Sequence, residues 1–269
     1  MKGRNILLWI GIAYLLLVVL FAIFGPSFGG GYEKPVAAPF QLPSAEHPLG
    51  TDEIGRQVVS RLAYGARVSL YIGLVVQAIA LFTGVLMAFL GVYAPKFIGV
   101  PILRLTDAMF VFPDILLAIL IIGIFGMGTT PVIVALSITA WPAIARLVRA
   151  QIATLKDREF VVATQAMGAS PFYTITRHVL PQLWGLLLAV SMIELAAIIL
   201  AESTLSFLGI GVQAPTPSWG TMINNARLDM ASHPQWLVWP CLLLSLTVFA
   251  LNFVGDGIRE KLDPRSAKQ

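Results

Sequence analysis

Long apolar stretches alternate with short polar ones along the chain. Six stretches approach or exceed the length that crosses a bilayer: Ile6 to Phe24, Ser69 to Tyr93, Pro101 to Phe125, Pro131 to Val148, Trp184 to Leu208 and Gln235 to Val254. The third is interrupted by Pro113 and carries Asp107 and Asp114. The fourth contains Trp141-Pro142, which predicts a kink. Ala80, Gly84 and Ala88 in the second run, and Ala135, Thr139 and Ala143 in the fourth, form small-xxx-small ladders that let helices approach closely. Packing within the chain and an interface with another subunit both account for such ladders.

The polar segments predict the connections. Gly25 to about Arg67 carries Pro35, Pro39, Pro43, Pro48 and Gly29-Gly30-Gly31, and its first part reads as an irregular loop. Within His47–Gly73, Thr51 or Asp52 can cap a helix, and Ile54, Val58 and Leu62 recur at helical spacing. This predicts a short amphipathic helix lying on the membrane surface, with Arg56 and Arg61 off its apolar face. Gly209 to Pro234 is a second loop rich in Gly and Pro.

Asp157–Leu183 is the polar insert around which the rest is arranged. It carries Asp157, Arg158, Glu159 and Arg177 between two apolar runs. Gly168 ends a first short helix, where a left-handed cap costs glycine nothing. Ser170-Pro171 is an N-cap followed by proline at the first helical position, so a second helix restarts at once, and Pro181 closes it. Ala163, Thr164 and Ala166 give the first helix a smooth face. A helix–glycine–helix knuckle of this kind suits docking, not anchoring.

Composition agrees with the pattern. Hydrophobic residues make up 57% of the chain and charged residues 12%, against about 25% charged in a soluble domain. Mean hydropathy is +0.82. The net charge of +4 is a matter of membrane topology, since no basic cluster is interleaved with aromatics as nucleic-acid binding would ask. The single cysteine, Cys241, allows no intrachain disulfide and no cysteine metal cluster. His47, His178 and His233 lie far apart and outside the apolar runs, which argues against a metal site and against an intramembrane serine protease. No G-x-x-x-x-G-K-[ST] is present, so ATP is not bound through a P-loop. The first run is followed by Gly25-Pro26-Ser27-Phe28, without a small-x-small exit, and reads as an uncleaved signal anchor. With the N-terminus inside and six spans, 13 basic residues fall on the cytoplasmic side and 5 (Lys34, Arg56, Arg61, Arg67, Arg227) outside. The knuckle and both termini are then cytoplasmic.

The knuckle resembles the coupling loop of ABC-importer permeases. Val162-Ala163-Thr164 stands where that loop has Glu-Ala-Ala, Gly168 is its glycine, and Leu180-Pro181 its Leu-Pro. Val162 replaces the acidic residue and Thr164 the second alanine. Three further stretches resemble the C-type permease subunits of dipeptide, oligopeptide and nickel importers. They are His47–Gly73, with Leu49-Gly50-Thr51-Asp52 and Tyr64-Gly65-Ala66-Arg67; Glu202–Trp219, ESTLSFLGIGVQAPTPSW; and Asn252–Arg265, NFVGDGIREKLDPR. The resemblance implies an all-α membrane protein with six transmembrane helices and the type I ABC-importer permease fold. It implies a multi-pass protein of the bacterial plasma (inner) membrane and no enzymatic activity in this chain. Residues 1–68 would be an anchor helix and periplasmic loop, 69–258 the transmembrane core with a coupling loop at 155–182, and 259–269 a cytoplasmic tail. The implied partners are a second homologous permease, two ATP-binding subunits and an extracytoplasmic solute-binding protein. No cofactor is expected in this chain, because ATP is bound by the partner subunits. The solute is a di- or oligopeptide or a related compound. Glutathione and nickel systems share these motifs, although nothing within the spans clusters His or Cys for nickel.

Candidate site residues follow. Val162, Ala163, Thr164, Gly168, Leu180 and Pro181 are expected to couple to the ATPases. Glu194, Asp114 and Glu202 are candidates for the translocation path, since an ionisable group in a span is by default functional. Glu194 also suits a subunit interface, and Glu202 an outer interface where loop backbone satisfies it. Asp107 suits either the path or a structural pair with Arg104, three residues before it. Asp52, Arg56, Arg61 and Arg67 suit contact with the binding protein or with headgroups. A secondary transporter working without ATPases is the alternative, because broken helices at Pro113 and Pro142 would serve one.

Overall fold

In a computed structural model, residues 2–28 and 31–262 are described, and they build an all-helical chain. Arg265 and Lys268 of the tail, and Gly29-Gly30 of the glycine run, lie outside the described residues. Ten α-helices follow in order: α1 (Lys2–Phe24), α2 (Val58–Tyr93), α3 (Lys96–Met109), α4 (Asp114–Phe125), α5 (Thr129–Leu155), α6 (Glu159–Ala166), α7 (Pro171–Thr174), α8 (Leu180–Phe207), α9 (Trp219–Ala226) and α10 (Gln235–Leu262). Among the described residues five helices are long and apolar enough to cross a membrane, or six when α3 and α4 count as one span. That pair is bent by 98° across the break before Asp114. Pro113 sits at the corner because it lacks an N–H and biases the residue before it away from the helical region.

α2 and α5 form the central pair. A Cβ at Gly84 would lie 2.8 Å from both Ile144 Cβ and Trp141 O, so only glycine lets the two backbones come this close. Ala80, Ala88 and Ala135 are buried. The ladder of α2 therefore serves helix packing inside the chain. α8 packs against α10 and against α2, and α1 packs on α10. The knuckle projects from one end of this bundle. α9 and residues 31–57 cover the other.

Three expectations about local structure are corrected. The amphipathic surface helix does not form. Residues 47–57 are irregular, Thr51 and Gln57 make an isolated bridge, and helix begins at Val58, ahead of the expected Ser69. Gly55, at φ +83°, turns the chain in a way a helix cannot follow. Thr51 and Asp52 bond within the loop and cap nothing: Thr51 Oγ1 donates to Ala38 O at 2.7 Å, and Asp52 Oδ1 accepts from Arg56 N at 2.8 Å. Val58 and Leu62 are buried against Met222 and Trp236, whereas Ile54 is exposed.

Pro181 does not close the knuckle's second helix. α7 runs through a π turn at Ile175–Val179 into α8. Leu180 N–H reaches Ile175 O five residues back, which loosens the register just before a proline that offers no N–H. Asp107, finally, pairs with Arg149 of α5 at 3.8 Å rather than with Arg104. Both side chains are about half exposed, so the pair positions α3 more than it stabilises it.

Candidate functional site

The knuckle is built as its sequence predicts up to Pro181. Gly168 has φ +81°, the left-handed region that a β-branched residue resists, and it separates α6 from α7. Ser170 caps α7 by accepting from Tyr173 N at 3.2 Å, with Pro171 at the first helical position. Val162, Ala163 and Gly168 are exposed, and so is Pro181. Thr164 is buried, its Oγ1 donating to Phe160 O at 2.6 Å, and Leu180 is half-buried. Thr164 thus holds α6 against the bundle and does not contribute to its outer face. That outer face carries apolar side chains which spacing alone did not single out: Met167 is 80% exposed and Phe172 75%. Exposed methionine and phenylalanine in a polar insert mark a contact surface. Both residues are plain in the sequence, but they belong to no spacing pattern.

Of the three acidic candidates in the spans, the fold brings two together. Asp114 and Glu194 line one cavity of about 170 Å³ between α4, α5 and α8. Thr139, Ala143 and Ala197 share its wall. Small residues keep it open, and the Thr139 hydroxyl donates to Leu136 O at 3.3 Å within its own helix. Asp114 opens α4, where a negative charge is favoured by the unsatisfied N–H groups. It is exposed on the surface of the single chain. Two carboxyl groups facing hydrocarbon would be costly, so this surface is made to be covered by protein or filled with water.

Glu202 lies elsewhere. It is fully buried and accepts from Ser69 Oγ at 3.0 Å, Ser203 Oγ at 3.3 Å and Ser206 Oγ at 2.8 Å. Two of those serines accept in turn from loop backbone, Val212 N to Ser206 Oγ at 3.1 Å and Trp219 N to Ser69 Oγ at 3.4 Å. The carboxyl group therefore ties α2, α8, the 209–218 loop and the start of α9 into one network. This is the alternative in which loop backbone satisfies Glu202, reached through serine hydroxyls.

The family model for the inner membrane component of binding-protein-dependent transport systems matches residues 80–268. The chain belongs to that family. The permease is 36% identical to the dipeptide transport system permease DppC of Bacillus subtilis over 97% of its own length and 83% of the relative. It is 39% identical to the di/tripeptide transport system permease DppC of Pseudomonas aeruginosa, over 95% and 87% respectively. Among solved structures, the MetNI methionine ABC transporter in an inward-facing conformation matches with a TM-score of 0.61 at 20% identity, over 75% of the permease and 96% of that chain. At that identity the match speaks for the type I importer fold alone. The permease is a membrane-spanning ABC-importer subunit and not an enzyme. The secondary-transporter alternative is set aside on these matches.

A second group missed by the sequence reading lies where α3 bends into α4. The Arg146 guanidinium of α5 sits 3.3 Å above the Phe110 ring, one turn from the Arg149–Asp107 pair. α5 thus holds the corner of the broken span at two points before it leads into the knuckle. Arg146 and Phe110 are 36 positions apart in sequence, and no local pattern announces them.

Proposed function

We propose that the permease forms half of a translocation path for di- or oligopeptides or a closely related solute. Two ATP-binding subunits drive it through the knuckle, a second homologous permease completes the path, and an external binding protein delivers the solute. The observation that carries this reading is the cavity shared by Asp114 and Glu194. It lies on the exposed flank of α4, α5 and α8, where a second permease would enclose it. A peptide presents an ammonium group at one end, and two carboxyl groups in one cavity suit its passage. α5 runs unbroken into the knuckle, and α8 follows from it through the π turn, so movement at Gly168 reaches both walls of the cavity. Alternating access is then a shift between two packings, with the force applied by the ATPases.

Reconstitution of the complete transporter in vesicles tests this. ATP-dependent uptake of a labelled dipeptide is expected, and Glu194→Gln should lower it roughly tenfold without loss of assembly, the cost of one charge-assisted contact. Uptake that proceeds without ATP, or an unchanged rate in the variant at limiting dipeptide, would remove the basis for the reading.

The orientation is part of the proposal. In a variant lacking Cys241, a cysteine at exposed Ser44 should react with an impermeant thiol reagent on intact cells, and one at exposed Met167 should not. Labelling of the Met167→Cys variant from outside would invert the topology.

A further inference from the structure

The knuckle half of the molecule holds a second and larger concavity. A groove of about 760 Å³ runs between α2 and α8 and reaches α7. Phe82, Leu86 and Leu90 form one wall, Trp184 and Leu187 the other, and Phe172 stands at the end. Phe82 is 70% exposed and Trp184 53%, so the single chain leaves these walls uncovered. Both helices are spans, and an apolar trough at membrane depth is filled by hydrocarbon or by protein, not by water.

Two features set the groove apart from an ordinary lipid-facing surface. Tyr93 lines it, and the Tyr93 Oη is enclosed without a hydrogen-bond partner. A hydroxyl out of water and unpaired is costly, and a small rotation of the half-buried ring turns it toward an acceptor in whatever fills the groove. At the knuckle end the lining closes with Ala94 and Ile175, and each is followed two residues later by an exposed cation, Lys96 and Arg177. Neither is ion-paired among the described residues. One apolar trough, one orphan donor inside it and two free cations beyond its polar end match a single chemistry.

We propose that this groove binds an anionic membrane phospholipid from the leaflet on the knuckle side. Its acyl chains lie between α2 and α8, an ester or phosphate oxygen accepts from Tyr93 Oη, and Lys96 and Arg177 hold the headgroup phosphate. Basic pockets between transmembrane helices recognise anionic headgroups in this way. The lipid would bridge the scaffold helix α2 and the knuckle's own α7–α8 rod, so it would brace the element that moves.

The assembled transporter, stripped of lipid in mild detergent, is offered phosphatidylglycerol or phosphatidylcholine with identical acyl chains. Native mass spectrometry counts the lipid retained. Wild type should prefer phosphatidylglycerol. Lys96→Gln with Arg177→Gln should lower its retention roughly 25-fold, about fivefold for each cation, and leave phosphatidylcholine unchanged. Leu86→Trp, which fills the trough, should lower retention of both. Equal retention of the two lipids by wild type, or an unchanged preference in the double variant, would overturn the assignment. A photo-crosslinking residue in place of Leu86 decides independently of whether the variants assemble. A phospholipid adduct is expected, and an adduct to the second permease polypeptide would show that protein fills the groove instead.

Discussion

Asp52→Ala is expected to cause the largest loss of stability of any single substitution outside the spans. Asp52, Arg56 and Arg61 are each at most 7% exposed. The Asp52 carboxylate takes Arg56 Nε at 2.6 Å and Arg61 Nε at 3.3 Å, and its other oxygen accepts from Ile54 N at 3.1 Å and Arg56 N at 2.8 Å. Arg56 also reaches Glu53 at 2.7 Å, and Arg61 Nη1 donates to Tyr32 O at 3.2 Å. Removing Asp52 leaves Arg56 with the partly exposed Glu53 carboxylate and takes from the enclosed Arg61 guanidinium its carboxylate contact. Breaking a buried pair by deleting one partner costs about 3–5 kcal/mol, because the remaining charge stays out of water. The loss falls on the lid formed by residues 31–57, which also depends on the Trp236 Nε1 bond to Thr51 O. The transmembrane helices should still insert, since their apolar length does not depend on this cluster. Thermal denaturation of the detergent-solubilised transporter, followed by size-exclusion chromatography, measures the effect. A melting curve like that of wild type would mean that the cluster contributes nothing. Replacing Asp52 and Arg61 together should be milder than the sum of the single losses, and that non-additivity is the signature of a pair.

This cluster also marks the limit of what the chain discloses to a reader. The apolar runs were legible because a bilayer imposes one length and one composition on every span. The break at Pro113 was legible because proline removes a hydrogen bond wherever it stands, although the 98° bend was not, and neither were the contacts of Arg146 with Phe110 and of Arg149 with Asp107 beside it. The stretch after His47 misled. Ile54, Val58 and Leu62 keep helical spacing, but Val58 and Leu62 belong to α2 while Ile54 lies in a turn fixed by Gly55 and by Asp52. Spacing registers periodicity and cannot register an ion cluster closed by contacts from distant parts of the chain. Glu202 shows the same divide. Ser203 and Ser206 are neighbours that a local reading can see, but Ser69, 133 positions away, completes the cage. The pairing of Asp114 with Glu194 in one cavity required three helices to be placed. Their candidacy for a path needed only the sequence, because an ionisable group in a span is by default a functional-site hypothesis.

Gly168→Val is expected to uncouple ATP hydrolysis from uptake while leaving the permease in the membrane. A side chain at this position meets open space, since no heavy atom lies within 4 Å of a Cβ built there. Crowding inside the chain is therefore excluded as a cause, and what remains is the backbone. At φ +81° a β-branched residue carries a penalty on the order of 1–2 kcal/mol. The chain relieves it by rotating α7 against α6, which displaces exposed Met167 and Phe172 from the surface that Val162 and Ala163 share. Gly168→Ala tests the same backbone with the smallest side chain and should give a weaker form of the defect. Gly168→Asn should come closest to wild type, because Asn tolerates the left-handed region better than other residues with a Cβ. The order Gly, Asn, Ala, Val separates conformational strain from bulk, because Asn is larger than Ala. Two measurements check it: co-purification of the ATPase subunits, and peptide-stimulated ATP turnover in reconstituted vesicles. Wild-type values of both for Gly168→Val would mean that the knuckle is not where the ATPases engage. An order following side-chain volume would mean that a partner's groove, not the backbone at Gly168, sets the tolerance.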